Sequence, residues 1–249
     1  VALISPNAGA PAGGEFIDFF GQGVDQSVGV TINGNPFISI YVDPNGSYFD
    51  GETPAGSLGI WDIVVTNGDG QTQTLTNAFT YTSDKVFYGS MGTGSWNDQG
   101  NWTPAGVPIS TDSVLFPAGV PNPAVFDLLS AQVVNVTIGT GASLTIAASP
   151  RTLSVSGNWT NDGNLTAMPS ATVNFDGIGT QVVNGVTMFP SVTITGGGTV
   201  NIAPGGVLWA PFYSQLSCCT VTVSGGGELA IQTGTISGTV QVAGGGTIE

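Results

Sequence analysis

The segment that decides the fold is residues 221–248, VTVSGGGELAIQTGTISGTVQVAGGGTI. It contains pairs of apolar residues separated by a single residue, and glycine triplets follow two of these pairs. Val221 and Val240 lie 19 residues apart, as do Leu229 and Ile248. A repeat of about twenty residues, built from short strands and glycine turns, is typical of one coil of a parallel β-solenoid.

The same rhythm extends through the second half of the chain. Further pairs of this kind are Leu144/Ile146, Leu153/Val155, Val173/Phe175, Val192/Ile194 and Val200/Ile202. Longer spacings also agree: 20 residues from Leu153 to Val173, 19 from Val173 to Val192, 21 from Val200 to Val221 and 21 from Leu208 to Leu229. One coil buries its inward side chains only by stacking on the next, so the pattern predicts a parallel β-solenoid over residues 83–249. A β-sandwich of evenly spaced strands is the alternative.

The first third of the chain has a different pattern. Short runs rich in β-branched and aromatic residues occur at Phe16–Phe20, Val28–Ile32, Phe37–Val42, Ile60–Thr66 and Ala78–Tyr81. Between several of them stand Asn-Gly or Asp-Gly pairs, which favour tight turns. No segment sustains an apolar i, i+3, i+4 pattern, so helices should be scarce and the fold all-β. The pattern favours a small sandwich over residues 1–82.

Motifs at both ends of this part identify a candidate family. The opening motifs are ISPNAG (4–9) and FFGQG (19–23), and the closing motifs are GIWDIVVTNGDG (59–70) and NAFTY (77–81). Together they resemble the IPT/TIG immunoglobulin-like domain, although residues 41–54 hold more Gly and Pro than that family's pattern. The resemblance implies an N-terminal immunoglobulin-like β-sandwich that acts as a binding or spacer module and carries no catalytic residues.

Tryptophans mark the entry into the second part. After a short joint, GSWNDQGNW (94–102) leads into VPISTDSV (107–114). This layout is similar to the entry segment of bacterial secreted β-helix proteins of the autotransporter and adhesin type. Trp96 and Trp102 can cover the open first turn of a stacked structure, so we predict a cap over residues 92–116. An ordinary buried tryptophan pair would show the same burial.

Charge and composition limit the partners. Asp and Glu total 16 against only Lys85 and Arg151, for a formal net charge of -14. Phosphate backbones and anionic membranes would repel such a chain, so we expect no nucleic-acid partner. No apolar run approaches the roughly 20 residues that span a bilayer, so we expect no membrane insertion. The Gly-, Thr- and Asn-rich composition and the two resemblances favour a secreted or cell-surface protein that begins after signal cleavage or was trimmed.

Catalytic chemistry has little support in the sequence. There is no histidine, which removes the commonest general base and metal ligand. Asp127, Asp162, Asp176 and Glu228 are the carboxylates that a glycan-cleaving β-helix would use, but turn or edge positions explain them better. No calcium loop of the DxDxDG type is present. We therefore expect no enzyme, no cofactor and no metal, with a polysaccharide-degrading enzyme as a minor alternative.

The stretch WAPFYSQLSCC, which starts at Trp209, breaks the repeat. An insertion that leaves the coil with Trp209, Phe212 and Tyr213 would be a contact surface, because aromatic anchors dominate interface energies. It could serve self-association, stack on sugar rings, or fold back to cover its own core. Cys218 and Cys219 are adjacent, so they are ordinary thiols, a strained vicinal disulfide or a bridge to a neighbouring subunit.

Residues 244–249, GGGTIE, resemble the start of another coil with no aromatic or charged cap. An uncapped end exposes strand edges and apolar side chains, Ile248 among them, and this invites β-addition. Either the natural chain continues there, or the open end docks on another copy. A head-to-tail contact that does not close generates a filament.

These observations predict a secreted structural protein. It would be a subunit of an extracellular filament or surface layer, a homopolymer assembled head-to-tail through β-edges and the aromatic insertion. The alternative is an adhesin or carbohydrate-binding fragment of a larger cell-surface protein, with surface glycans as its partners.

Overall fold

The computed structural model describes residues 1–148, 150–216, 220–236 and 238–248, and for residues 212, 213, 216, 233, 235 and 236 it describes the backbone only. Within these ranges the chain is all-β: it contains no α-helix, and its single 3₁₀ turn is Gln99–Asn101. The strands form an amino-terminal unit followed by a β-solenoid.

The amino-terminal unit consists of two sheets. Its strands are β1 (Leu3–Ser5), β2 (Ala8–Gly9), β3 (Phe16–Phe20), β4 (Gly29–Ile32), β5 (Asn35–Pro36), β6 (Ile38–Val42), β7 (Tyr48–Glu52), β8 (Gly59–Thr66) and β9 (Thr72–Tyr81). The first sheet has the antiparallel order β1-β3-β7-β6, and the second has the order β2-β9-β8-β4-β5 with a parallel β2–β9 pair. Asn33 and Gly34 join β4 to β5 with φ values of 48° and 78°, as a type I′ turn requires.

One hydrophobic core lies between these two sheets. Its buried side chains come from the first sheet (Ile17, Phe19, Phe49) and from the second (Val30, Ile32, Ile63, Val65, Phe79). The rings of Phe19 and Phe49 stack with their centroids 4.4 Å apart. Each predicted strand run overlaps a strand of this unit. The runs could be recognised because alternate residues of a strand point to the core and are therefore apolar. The glycine- and proline-rich stretch 41–54 contains β7, which lies between β3 and β6.

The second part winds through three flanks in each coil. The first flank contains β10 (Lys85–Phe87), β12 (Val114–Phe116), β15 (Val136–Ile138), β18 (Trp159–Asn161), the start of β21 (Thr180–Met188), β23 (Thr199–Ile202), β25 (Thr220–Val223) and β27 (Thr239–Val242). The second contains β13 (Ala124–Phe126), β16 (Ser143–Ile146), β19 (Asn164–Ala167), the end of β21, the starts of β24 (Val207–Leu216) and β26 (Glu228–Ile236), and β28 (Thr247–Ile248). The third contains β14 (Ser130–Val133), β17 (Arg151–Val155), β20 (Ala171–Phe175), β22 (Val192–Ile194) and the ends of β24 and β26. Strands of successive coils pair in parallel, whereas β11 (Trp102–Thr103) runs antiparallel to β10.

A column of inward side chains runs along the first flank. Its members, each the register partner of the next, are Val114, Val136, Trp159, Val183, Ile202, Val223 and Val242. The first six are buried, whereas Val242 is 48% exposed. Each interior rung is covered on both sides, and the last rung is covered on one side only, which explains the difference.

The predicted repeat is confirmed by the strand registers. All six spacings join direct register partners: Leu153–Val173, Val173–Val192, Val200–Val221, Val221–Val240, Leu208–Leu229 and Leu229–Ile248. The β-solenoid therefore extends over about residues 114–248. At the turn between the first and second flanks, Gly226 has a φ of 78°, a value that favours glycine.

Amide side chains fasten the corner where the third flank turns into the first. Asn135 Oδ1 accepts a hydrogen bond from the Asn158 backbone N–H (2.7 Å), one coil later. In the next coil the buried Gln181 amide donates to the carbonyls of Val155 (2.8 Å) and Gly157 (2.7 Å), and its Oε1 accepts the Gly177 N–H. Backbone groups that leave the strand ladder at this corner thus find partners in side chains.

Candidate functional site

The last described coil exposes apolar side chains that are buried in the coils before it. We call β27 and β28 the terminal rung. Val242 and Ile248 are 48% and 49% exposed, although their register partners Val223 and Leu229 are buried. Within the described residues, β27 pairs only with β25 and β28 only with β26. In the part of the chain that the structure describes, backbone edges of the terminal rung thus lie unpaired next to apolar side chains, the arrangement to which another strand can add.

The aromatic stretch does not leave the coil, so its prediction as an insertion is wrong. Residues 207–216 form the continuous strand β24, which pairs with β21, β22 and β26. The register shifts between Ala210 and Tyr213, where two residues of β24 oppose one of β26. Such a bulge absorbs an extra residue and tolerates Pro211, which has no N–H to contribute. The broken rhythm reflects this bulge.

Trp209 points outward on the second flank and is half-buried. Its register partners are Met188 in the preceding coil and Ala230 in the next. The side chains of Phe212 and Tyr213 lie outside the described part of the chain. A role in self-association or ligand contact stays a prediction for Trp209, Phe212 and Tyr213.

The cysteine prediction falls on residues that the structure does not describe. Cys218 and Cys219 both lie outside the described ranges. Ordinary thiols, a strained vicinal disulfide and a bridge to a neighbouring subunit therefore all stay open as predictions.

Trp96 and Trp102 lie at the amino-terminal end of the solenoid. Both are buried, their rings meet edge to face with centroids 4.9 Å apart, and Trp102 Nε1–H donates to the Trp96 carbonyl at 2.8 Å. Phe87, Phe116 and Phe126 pack around them. This aromatic cluster is positioned as a cap would be, and a buried tryptophan pair without a capping role has the same geometry.

Among the described residues, two side-chain hydrogen bonds join the amino-terminal unit to the second part of the chain. The Ser5 hydroxyl donates to the Gly119 carbonyl (2.9 Å), and the Tyr88 hydroxyl donates to the Ala8 carbonyl (2.7 Å). Burial, together with the negative charge of Glu15, raises the pKa of Tyr88, which keeps this phenol protonated as a donor. A cleft of about 640 Å³ lies at this junction. Its lining includes Phe16, Asp18, Glu15, Tyr88, Trp102 and Pro104.

A second surface, which sequence reasoning missed, lies on the outward side of the first sheet. We call it the acidic aromatic face, and its members are Leu3, Phe16, Asp18, Phe20, Ile38, Tyr41, Tyr48, Asp50 and Glu52. Strand register arranges them in three rows: Leu3–Phe20–Tyr48, Asp18–Asp50–Tyr41 and Phe16–Glu52–Ile38. The exposed fraction lies between 41% and 56% for Leu3, Phe16, Phe20, Ile38 and Tyr41. The face adjoins the junction cleft, because Phe16 and Asp18 line both.

The centre of this face holds two carboxylates around one phenol. Asp18 and Asp50 are directly opposite each other on paired strands, and the Tyr48 hydroxyl lies 2.8 Å from an oxygen of each. Burial, followed by the hydrogen bonds to these two carboxylates, raises the pKa of Tyr48. The phenol therefore stays neutral and has a single proton to donate. The alternation Phe16-Asp18-Phe20 is the sequence signal nearest to this face: it shows that these three side chains share one side of a strand, but it does not show which residues lie opposite them.

Of the carboxylates that a glycan-cleaving β-helix would use, Asp127 and Asp176 are hydrogen-bonded within the solenoid region, Asp162 is exposed and Glu228 is partly buried. Asp127 accepts hydrogen bonds from the Ser95 hydroxyl (2.5 Å) and the Asn97 N–H (3.2 Å) near the cap. Asp176 accepts one from Gln132 (2.8 Å), and burial raises its pKa. Among the residues that the structure describes, no group of three or more His, Cys, Asp or Glu residues could hold a metal ion.

No helix in the described ranges is long and apolar enough to cross a membrane. In comparison with protein families, residues 86–187 are similar to DUF8693, a domain of unknown function. The match covers less than half of the chain and extends from the entry strand β10 to the second part of β21. No family of the IPT/TIG or autotransporter type matches. No curated protein matches the chain.

Proposed function

We propose that this chain is a secreted structural protein, a subunit of an extracellular filament or surface layer that grows by strand addition at the terminal rung. The observation that carries the proposal is the half-exposed state of Val242 and Ile248, whose equivalents one coil earlier are buried. The terminal rung accepts a further rung whichever polypeptide supplies it. In this proposal a second copy supplies it.

The energetics favour such an addition. Burying the exposed half of two large aliphatic side chains contributes about 2 kcal/mol in total, at roughly 25 cal/mol per Å². The free backbone edges of β27 and β28 add directional hydrogen bonds. Among the described residues, the first sheet of the amino-terminal unit has edge strands at β1 and β6, which a neighbouring copy can offer. A contact between different ends of the molecule does not close on itself, so it generates a filament.

Electron microscopy of stained, purified full-length chain tests this function. The wild-type protein should form regular fibres, and the double variant Val242→Lys/Ile248→Lys should not, because it places two charges on the docking surface. Leu129→Lys/Ile178→Lys is the matched control, since these side chains are 75% and 92% exposed in bends of earlier coils. Circular dichroism would verify that all variants fold. Uniformly monomeric wild-type particles at high concentration would overturn the proposal.

The two parts would serve this role as spacer and shaft. Two sheets around a common core, with the motifs at 4–9 and 59–70, support an immunoglobulin-like sandwich of the IPT/TIG type as the spacer. The aromatic cluster at the solenoid entry supports a capped β-helix of the adhesin type. Secretion is supported by the acidic, lysine-poor composition. The proposed role needs no catalytic residue and no cofactor.

A carbohydrate-binding adhesin is the second candidate, favoured by the outward position of Trp209. A groove of about 250 Å³ on the solenoid surface, lined by Leu165, Thr166, Ala167, Met188, Phe189, Pro190 and Pro211, includes its register partner Met188. A glycan array would test it: binding should be lost in Trp209→Ala and retained in Trp61→Ala, a partly exposed tryptophan of the amino-terminal unit. An array without enriched glycans, or equal losses in both variants, would exclude this role for Trp209.

A further inference from the structure

The acidic aromatic face is an unpartnered apolar surface on a rigid sheet. Leu3, Phe16, Phe20, Ile38 and Tyr41 all expose large side chains there, although the sheet's other side buries a full core. Isolated exposed apolar residues are ordinary, but several on one sheet face are typical of an interaction surface. The carboxylates between them determine which partner fits.

The centre of the face has more hydrogen-bond acceptors than donors. Asp18 and Asp50 oppose each other across two strands, an arrangement of like charges that is unfavourable without a counter-charge. Tyr48 supplies one proton to two carboxylates, so most of their lone pairs are left for a ligand. Glu52 adds a third acidic side chain in the next row. A partner must therefore bring donors, and positive charge satisfies both needs at once.

The chain itself cannot provide this partner through its basic side chains. Lys85 and Arg151 are the only Lys and Arg residues. Lys85 Nζ donates to the carbonyls of Pro104 and Ala105, and the Arg151 guanidinium donates to the carbonyl of Asp127. Both cations are thus hydrogen-bonded within the second part of their own chain, and a second copy would have to break these bonds to use them.

We propose that the acidic aromatic face binds a basic segment of a different protein. A lysine or arginine head lies between Asp18 and Asp50, and its aliphatic stem lies over the Phe20 and Tyr48 rings, where cation–π attraction adds to the pairing. Flanking apolar residues of the segment extend over Phe16 into the junction cleft. The inference is independent of assembly at the terminal rung.

Amide-resolved NMR titration of the labelled full-length chain tests the proposal. The probe is the blocked peptide acetyl-Leu-Arg-Leu-amide, and the comparison is the same peptide with citrulline, which keeps the shape of arginine and lacks its charge. The variant Asp18→Asn/Asp50→Asn removes the two charges while Tyr48 keeps its acceptors. The matched control Asp69→Asn/Asp162→Asn removes the same net charge at exposed positions off the face.

We expect the arginine peptide to shift the amide signals of residues 16–20 and 48–52. Its affinity should fall at least about tenfold with citrulline or with the face variant, because a charge-assisted hydrogen bond contributes more than a neutral one. The control variant should bind like the wild type. Equal binding of both peptides, equal losses in both variants, or no shifts at millimolar peptide would overturn the proposal. Shifts at these amides with cellohexaose but not with the arginine peptide would also overturn it and identify a sugar-binding surface.

Discussion

Truncating two valines of one column measures how bare the terminal rung is in solution. Val223 and Val242 are register partners on the first flank, the former buried and the latter half-exposed. Val223→Ala should cost about 2 kcal/mol, since two buried carbons are lost and a cavity remains. Val242→Ala removes the same two carbon atoms from a side chain that is already half-exposed. Only about half of the burial free energy is therefore lost, and no cavity forms. This substitution should cost about 0.8 kcal/mol.

Urea unfolding of dilute protein, followed by circular dichroism, would measure both losses. The urea dependence must be compared as well as the midpoint, because a terminal coil of a repeat protein can open before the rest. If Val242→Ala costs as much as Val223→Ala in the dilute monomer, the terminal rung is covered and the reasoning fails. Under the proposed function, raising the protein concentration should increase the cost at Val242 and leave that at Val223 unchanged.

Three further predictions concern the solenoid. Asp176→Asn should stabilise the protein at neutral pH, because burial raises the pKa of this carboxyl; in urea titrations the gain should shrink as the pH falls through that raised pKa and the wild-type group becomes neutral. Gln181→Ala should cost about 3 kcal/mol of stability, since three backbone groups lose a hydrogen-bond partner. The control Gln241→Ala, at an exposed site, should cost less than about 0.5 kcal/mol. Thermal melts that rank the two variants equally would contradict this. Gly196→Ala should lower the melting temperature strongly, because its Cβ would lie 2.2 Å from backbone atoms of the preceding coil. Gly179→Ala, with open space for a Cβ, should be neutral, and similar melting of the two variants would refute the packing argument.

The solenoid could be predicted because its information is local and repeated. Leu153, Val173 and Val192 occupy the same position in successive coils, and their near-constant spacing is visible without any knowledge of pairing. The earlier part of the first-flank column, from Val114 to Val183, could not be found in this way. Its spacing grows from 22 residues (Val114 to Val136) to 24 (Trp159 to Val183), because the turns of these coils differ in length.

The acidic aromatic face could not be predicted for the opposite reason. Its two carboxylates come from Asp18 and Asp50, which meet only because β3 and β7 pair across about thirty residues of chain. Alternation within each strand shows that some side chains point outward, but it gives no register between strands. Tyr48 bridges the pair from the neighbouring row, and nothing in its local sequence indicates that contact.

The boundary of the family match coincides with a change in how the coils are joined. Between the third and fourth coils, within the described residues, β19 has no backbone pairing with β21 on the second flank. The second part of β21 is contacted instead by side chains of β18 in the third coil: Asn161 Nδ2 donates to the Val186 carbonyl (3.0 Å), and Trp159 Nε1 donates to the Thr187 hydroxyl (3.1 Å). The match to the domain of unknown function ends at residue 187, where these contacts lie. Residues 86–187 therefore contain the aromatic entry, three full coils and the side chains of the third coil that hydrogen-bond to the fourth.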